Sequence, residues 1–195
     1  HRDLHLSIRR QRQMCIRDRS KKDLIKLELG SGSKKGDNGF TTVDINGANI
    51  SWDLTNGIPL KDNSVDLIIT SPPFALEREK SYGNLKGDEY LKWLKEFSEV
   101  FFLKLKDTGS LVIDFGGSWT NGQPTRNLHQ YKIPIILCEE VGFHLAQEFF
   151  WWNTAKIPSP AQWVTVNRKR VTDSVNYIFW FSFLFYAKAL GLDSL

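Results

Sequence analysis

Cysteine is scarce in this chain of 195 residues, which contains only Cys15 and Cys138. Two cysteines form no disulfide framework, so the sequence predicts a protein of a reducing cytoplasm. Long apolar runs are also lacking, because the aromatic-rich segment 179–186 falls short of the roughly 18 residues that span a membrane. We therefore expect no membrane partner, and the sequence shows no secretory signal.

Histidine is rare too, and His129 and His144 do not form a set of metal ligands, so we expect no metal. The apolar content of 41% and charged content of 25% are ordinary for a soluble globular domain with a real core. The net charge of +4 favours a polyanionic partner without proving one.

The two ends of the chain differ in composition from its middle. Residues 1–20 are basic, lack periodicity and resemble a translated sequencing adapter, so we exclude them from the predicted fold. The alternative is a basic arm that contacts DNA. The predicted domain covers residues 21–182, and residues 183–195 are left as a tail of uncertain structure.

The segment Val65–Thr70 is apolar and β-branched without alternation, which predicts a central strand covered on both faces. Asp88 is the predicted N-cap of a helix to about Lys106, and a second helix is expected at 131–141, ended by Gly142. Alternation of strands and helices favours a doubly wound α/β sheet that is mostly parallel. The other predicted strands are 24–29, 41–45, 50–54, 110–115, 145–152 and 174–182, with loops at about 118–130 and 154–173.

The central strand stops at Ser71, Pro72, Pro73 and Phe74. Two prolines cannot continue a ladder, and they stiffen the backbone where open α/β sheets bind ligands. A carbonyl without a competing N–H, a hydroxyl and an aromatic ring can together hold a planar heterocycle by its exocyclic amine. The alternative is a structural turn with Phe74 in the core.

A glycine loop follows the first predicted strand. Glu28, Gly30 and Gly32 precede Asp44, an acid at the end of the next strand that can accept ribose hydroxyls. Only twelve residues separate Gly32 from Asp44, whereas a dinucleotide site places its acid about 20 residues on. A glycine loop with so short a spacing to the following acid resembles that of the class I S-adenosylmethionine-dependent methyltransferases. That resemblance implies that Asp53 lies near the adenine. An ordinary strand–turn remains the alternative.

Several further motifs, in order along the chain, resemble the PvuII-type cytosine-N4 DNA methyltransferases. This resemblance implies a Rossmann-like fold, S-adenosylmethionine as cofactor, double-stranded DNA as partner and a role in restriction-modification or DNA protection. It covers about residues 59–182. The motifs are Ser71–Leu76, Arg78–Leu85, Val112–Gly117, Ala155–Val164, Asp173–Asn176 and Trp180–Ser182.

The resemblance implies roles for the residues of the turn. The target base must leave the duplex. Phe74 would then stack on the base, while Ser71 Oγ and the Pro72 carbonyl hold its amine. Asp114 would polarise Ser71 or take up the released proton; alternatively, it caps nearby backbone. Cytosine-C5 enzymes use a Pro-Cys pair, but Cys138 follows Leu137, so we expect it in the core.

A basic cluster in the loop 154–173 is the predicted DNA-binding surface. Arg126 and His129 are weaker candidates, and a solvated basic loop is the alternative. The cluster comprises Lys156, Arg168, Lys169 and Arg170.

The order of the motifs departs from the PvuII-type pattern, which places its cofactor motif after the target-binding region. Here the glycine loop precedes the Ser-Pro-Pro-Phe turn. Either the order of the halves differs, or the chain is cut short and the glycine loop is a coincidence. Adenine-N6 methylation, small-molecule methylation and an inactive DNA-binding fragment remain alternative functions. Adenine enzymes usually begin the turn with Asp or Asn, whereas Ser71 begins it here.

Overall fold

The computed structural model of the chain describes residues 24–72, 85, 87–120, 122–152, 154 and 161–183. Seven strands in this part form one sheet, in the order β3-β2-β1-β4-β5-β7-β6. The strands are β1 (Lys26–Leu29), β2 (Phe40–Asp44), β3 (Ile50–Ser51), β4 (Val65–Thr70), β5 (Leu105–Phe115), β6 (His144–Trp152) and β7 (Val175–Ser182).

The sheet is parallel from β3 to β5, and β7 enters antiparallel between β5 and β6. β1 and β4 are neighbours although β2 and β3 lie between them in the chain. The order therefore reverses at the β1–β4 boundary, which makes it the topological switch point of the sheet. The prediction of a doubly wound, mostly parallel α/β sheet is confirmed.

The core follows the apolar strand residues. Leu27, Ile68, Leu111, Ile113 and Phe181 are completely buried. On β4, residues that are not buried are still only partly exposed, as expected for a strand covered on both faces. Each fully buried Leu, Ile or Phe contributes about 1.5–3 kcal/mol of transfer free energy.

The first long helix, α1 (Gly87–Lys104), buries the face that the sequence predicts. Tyr90, Leu91, Leu94 and Phe101 are buried, and Phe97 and Val100 pack partly buried against them. The predicted N-cap, Asp88, lies inside the helix, because the helix begins one residue earlier, at Gly87. There its carboxylate still complements the helix dipole.

The sequence predicts that the helix ends at about Lys106 and that the next strand begins at residue 110, but no turn separates the two elements in the structure. β5 begins directly after α1, and its pairing with β4 jumps from Val65↔Leu105 to Leu67↔Ser110. A Cβ on Gly109 would lie 2.8 Å from the Lys106 carbonyl oxygen. The glycine therefore permits a tight bulge within the strand instead of a turn before it.

The predicted third strand, 50–54, is shorter in the structure. β3 ends at Ser51, and a 3-10 helix follows at Leu54–Asn56. Asp53 accepts hydrogen bonds from the Thr55 N–H at 2.9 Å and from its hydroxyl at 2.7 Å. This local side-chain bonding competes with the ladder and ends the strand.

The second helix, α2 (His129–Ile136), continues as a π-helical turn at Leu137–Val141. Gly142 ends it with a φ of 101°, as predicted. The predicted basic loop contains one unpredicted π-helical turn at Gln162–Val166. Within the described ranges, every helix is too short or too polar to cross a membrane.

Candidate active site

The glycine loop after β1 turns over the end of β2. Gly30 and Gly32 have φ values of 74° and 65°, a region that side chains disfavour. The Gly30 N–H donates to the Val43 carbonyl at 3.0 Å, and the Gly32 N–H donates to Asp44 Oδ2 at 3.0 Å. A Cβ added at either glycine would meet no heavy atom of the described residues within 4 Å.

Asp44 ends β2 beside this loop, as predicted. Its Oδ1 accepts from the Asn46 N–H at 2.8 Å, while Oδ2 accepts from Gly32. Each carboxylate oxygen has a second lone pair available for a ligand hydroxyl. The buried hydroxyl oxygen of Ser31 has no hydrogen-bond partner in the part of the chain that the structure describes. These groups fit a polar, hydroxyl-bearing ligand.

Glu28 and Asp53 flank the loop from two directions. Glu28 is half-buried on β1, in register with Thr42 of β2 and Ile69 of β4. Asp53 is exposed, and its hydrogen bonds to Thr55 lower the pKa of its carboxyl group. The Trp52 N–H donates to the Asp44 carbonyl at 3.1 Å, which brings Asp53 to the same edge of the sheet.

Ser71 follows the last residue of β4 at this edge. Thr70 pairs with Leu29, so Ser71 and Gly30 are the next residues on two adjacent strands. The Thr70 hydroxyl donates to the Leu29 carbonyl at 3.4 Å and ties the two strand ends together. Ser71 is exposed and Pro72 is buried. Pro73 and Phe74 lie outside the described residues.

Asp114 lies on the other side of β4. Ile113 pairs with Thr70, so Asp114 and Ser71 are again the next residues on adjacent strands. The Asn176 side-chain amide donates to Asp114 Oδ2 at 3.5 Å. The sequence did not single out Asn176 for this role, and only its place in a family-like motif marked it.

The predicted basic cluster divides into exposed and buried members. Arg168 and Lys169 are exposed, whereas the Arg170 side chain retains only 8% exposure. Arg170 stacks on the Trp119 ring, and burial lowers its pKa although the nearby Asp173 opposes that shift. Lys156 lies outside the described residues.

Four residues around Arg170 form what we call the Trp119 cluster: Trp119, Arg126, Arg170 and Asp173. The guanidinium carbon of Arg126 lies 4.4 Å from the centre of the Trp119 ring, and Arg126 forms an ion pair with Asp173. Arg170 lies 4.0 Å from the same carboxylate. Trp119 and Arg126 form an isolated antiparallel bridge in the hairpin that follows β5. The cluster joins this hairpin to the segment that precedes β7. The sequence did not single out Trp119, and Asp173 was marked only by its place at the start of the family-like motif Asp173–Asn176.

A cavity of about 630 Å³ opens at the Trp119 cluster. Arg168, Lys169 and Val171 also line it. No group of three His, Cys, Asp or Glu residues among the described residues is placed to hold a metal ion.

Comparisons with known proteins point to one family. A family model described as DNA methylase matches residues 65–183. The type II methyltransferase M.PvuII of Proteus hauseri is 46% identical over 132 residues, which are 68% of this chain and 39% of that protein. M.HpaI of Haemophilus parainfluenzae is 32% identical over 102 residues, covering 50% of this chain and 29% of that protein. The chain thus spans less than half the length of either relative.

Solved structures agree on the fold. The PvuII DNA methyltransferase described as cytosine-N4-specific matches with a TM-score of 0.58 and 45% identity, over 65% of this chain and 45% of that one. A DNA modification methylase of Thermus thermophilus matches with a TM-score of 0.50 and 16% identity, over 82% of this chain and 54% of that one. The second match concerns the fold alone. Since the family model covers more than half of the sequence, the chain belongs to the DNA methylase family.

Proposed function

We propose that this protein transfers a methyl group from S-adenosylmethionine to the exocyclic N4 amine of cytosine in double-stranded DNA. One observation carries the proposal: Leu29 pairs with Thr70, so the glycine loop and the Ser71 turn begin at adjacent strand ends. A donor held by the loop and an amine held by the turn would meet at the topological switch point, where such sheets bind ligands.

The cofactor assignment is supported by the polar groups around the glycine loop. Asp44 accepts from the Gly32 N–H and in this proposal would also accept the ribose hydroxyls, while Gly30 and Gly32 leave room for the methionine part against the backbone. Glu28 and Asp53 line the same edge, and Asp53 would face the adenine. When bound, S-adenosylmethionine supplies an electrophilic methyl group on a sulfonium sulfur.

The target amine would be held at the end of β4. The exposed Ser71 hydroxyl can accept or donate one hydrogen bond, and the Pro72 carbonyl can accept another. Asp114 lies one position beyond the β4–β5 pairing, and in this proposal it would orient Ser71 or receive the amine proton. Correct in-line positioning alone can lower a barrier by roughly 7–11 kcal/mol. In this proposal Phe74 stacks on the flipped base and Pro73 stiffens the turn.

DNA would reach this edge through the basic segment before β7. Arg168 and Lys169 are exposed there, and Lys156 precedes them in the sequence. Phosphate contacts from these side chains would set the register of the duplex. The names of the relatives connect such enzymes with type II systems, so we propose a role in restriction-modification inside the cell.

Cytosine is favoured over adenine for two reasons. Ser71 begins the turn, whereas adenine enzymes usually begin it with Asp or Asn. The relative with 45% identity and the same fold is described as cytosine-N4-specific.

The test is to incubate the purified full chain with duplex DNA and methyl-labelled S-adenosylmethionine, followed by digestion to nucleosides and mass analysis. We expect label in N4-methylcytosine. Label in N6-methyladenine would show that adenine, and not cytosine, is the target base. Label on small molecules would show that DNA is not the substrate. DNA binding without methyl transfer would indicate an inactive DNA-binding fragment.

A matched pair of variants tests the role of the turn. Ser71→Ala removes the hydroxyl at the ligand end of β4, and Ser64→Ala removes one beside its other end, where the Ser64 hydroxyl donates to the Lys61 carbonyl at 2.6 Å. We expect Ser71→Ala to lower turnover about tenfold or more with little loss of cofactor affinity, and Ser64→Ala to change neither. Equal losses of turnover and cofactor affinity in Ser71→Ala would show that the turn is structural.

A further inference from the structure

The Trp119 cluster has more positive than negative charge at close range. Among the residues that the structure describes, Asp173 is the carboxylate within ion-pair distance of both Arg126 and Arg170. Arg168 and Lys169 add two further cations to the lining of the same cavity. One carboxylate therefore serves two closely packed guanidinium groups, which leaves the cavity electropositive.

Arg170 also lacks a hydrogen-bond acceptor for part of its guanidinium group. The side chain is 8% exposed, and the buried Nη1 atom has no partner in the described part of the chain. Leaving N–H groups of a charged side chain buried and unsatisfied is unfavourable. An anion in the cavity would supply the missing acceptor and balance the second positive charge.

The geometry of the two guanidinium groups favours binding of a phosphate over binding of a monatomic anion. Guanidinium groups present their N–H donors in a planar fork that matches the oxygens of a phosphate. The guanidinium groups of both arginines lie over the Trp119 ring, and this cation–π contact stabilises them beside the cavity. The cavity of about 630 Å³ leaves ample room for a phosphodiester and its sugar.

Gly117 lets Arg126 take this position. A Cβ on Gly117 would clash with Arg126 Nη1 and with the side-chain amide of Gln130. Gly117 belongs to the segment between the end of β5 and the hairpin, so the cluster is held at the same edge of the sheet as Asp114 and Ser71.

We infer that the Trp119 cluster binds one backbone phosphate of the DNA, with Arg126 and Arg170 as joint donors. The identity of the polyanion rests on the proposed function. The inference gives Arg170 a different role from its exposed neighbours, because Arg168 and Lys169 contact other phosphates while Arg170 shares one with Arg126. Asp173 acts through the arginines as a positioning residue and does not contact the phosphate.

The test is the salt dependence of DNA binding, measured with a fluorescent duplex and the full chain without cofactor. The slope of log affinity against log salt falls by about 0.9 for each phosphate contact that is lost. We expect the double variant Arg126→Gln/Arg170→Gln to lose about one unit of slope and at least tenfold in affinity at 0.1 M salt. A loss of about two units would mean two separate phosphates and would overturn the shared site.

The control is Lys61→Gln/Lys104→Gln, which removes two charges near the opposite ends of the strands, before β4 and β5 begin. It also breaks one ion pair, because Lys104 lies 2.8 Å from Asp62. We expect this variant to keep the parent slope. Circular dichroism and thermal melting establish that each variant is folded, and Arg126→Lys replaces the double variant if that protein does not fold. Arg126→Lys keeps the charge but loses the fork, so we expect weaker binding with the parent slope; parent-like affinity would overturn the inference.

A second measurement separates DNA phosphate from the free ion. Inorganic phosphate should raise the melting temperature of the parent and not that of the Arg126→Gln/Arg170→Gln variant. If phosphate does so while the two proteins share one DNA salt slope, the site binds a free anion and the inference is wrong. If the parent and the double variant have the same salt slope and the same response to phosphate, the cluster only joins two loops and the inference is wrong. A parent that binds no DNA would overturn the DNA partner itself.

Discussion

Asp44 combines a structural contact with a proposed ligand contact in one carboxylate. Its carboxylate holds the glycine loop through Gly32 and the following turn through Asn46. In the proposed site it also accepts the ribose hydroxyls. An amide has one oxygen, so it can replace only part of this set of acceptors.

We therefore expect Asp44→Asn to weaken S-adenosylmethionine binding by roughly 10- to 100-fold, which corresponds to one hydrogen bond to a charged group. Isothermal titration calorimetry gives the affinity. Asp107→Asn makes the same change at an exposed position where β5 begins and should leave the affinity unchanged. Parent-like affinity in Asp44→Asn would move the cofactor site away from β2.

Cys138 illustrates how partial burial controls the chemistry of one residue. It packs partly buried against the core, and burial raises the pKa of its thiol while the Leu145 backbone opposes the shift. A raised pKa leaves less thiolate at a given pH, and thiolate is the reactive form.

We expect Cys138 to react with iodoacetamide at pH 8 more slowly than glutathione in the same mixture. Peptide mapping by mass spectrometry separates Cys138 from Cys15. Unfolding in urea should remove the difference, because it returns the thiol to water. Equal rates in the folded protein would mean that the thiol is freely exposed.

Among the elements, α1 contributes one buried aromatic side chain that offers a direct stability test. Phe101 is completely buried, and its ring centre lies 4.6 Å from that of Phe97. Phe101→Ala should cost about 3–5 kcal/mol of unfolding free energy, since the cavity cannot fully collapse. Leu103 on the same helix is 59% exposed, so Leu103→Ala should cost far less. Urea denaturation measures both, and similar losses would contradict the orientation of the helix.

Elements with a clear hydrophobic pattern are the ones that the sequence predicted well. The buried face of α1 follows from helical spacing, and β4 follows from an apolar, β-branched run without alternation, because tertiary packing acts along the same patterns. The shortened β3 depended on a side-chain cap by Asp53, and the extended β5 depended on a bulge at Gly109. Both are local backbone choices that residue type permits but does not dictate.

The candidate site was predicted unevenly for a related reason. Gly30 and Ser71 follow the ends of β1 and β4, and Asp44 is the last residue of β2, so the fold itself places them. The run 168–170 has three similar cations in sequence, and the contact with the distant Trp119 is what buries Arg170 and distinguishes it from the other two. Contacts between residues far apart in the chain are not visible in local patterns.

At the scale of the whole molecule, the switch point divides the sheet into two groups of strands. β1, β2 and β3 bear the proposed cofactor residues, while β4, β5 and β7 bear the proposed target and DNA residues. The two groups meet along one ladder, from Lys26↔Leu67 to Leu29↔Thr70. A ligand bound across the ends of this ladder should stabilise both groups together.

Hydrogen exchange with S-adenosylhomocysteine, which has no methyl to transfer, tests this arrangement. At a ligand concentration of 100 times the dissociation constant, the native state gains about 2.7 kcal/mol. We expect slower exchange in segments 28–33 and 67–72 together, and no local change in the edge strand β6 beyond this global effect. If exchange slowed locally in segment 28–33 but segment 67–72 showed only the global effect, the bound ligand would not contact the turn. Adjacent strand ends would then not be enough to bring the methyl group to the amine.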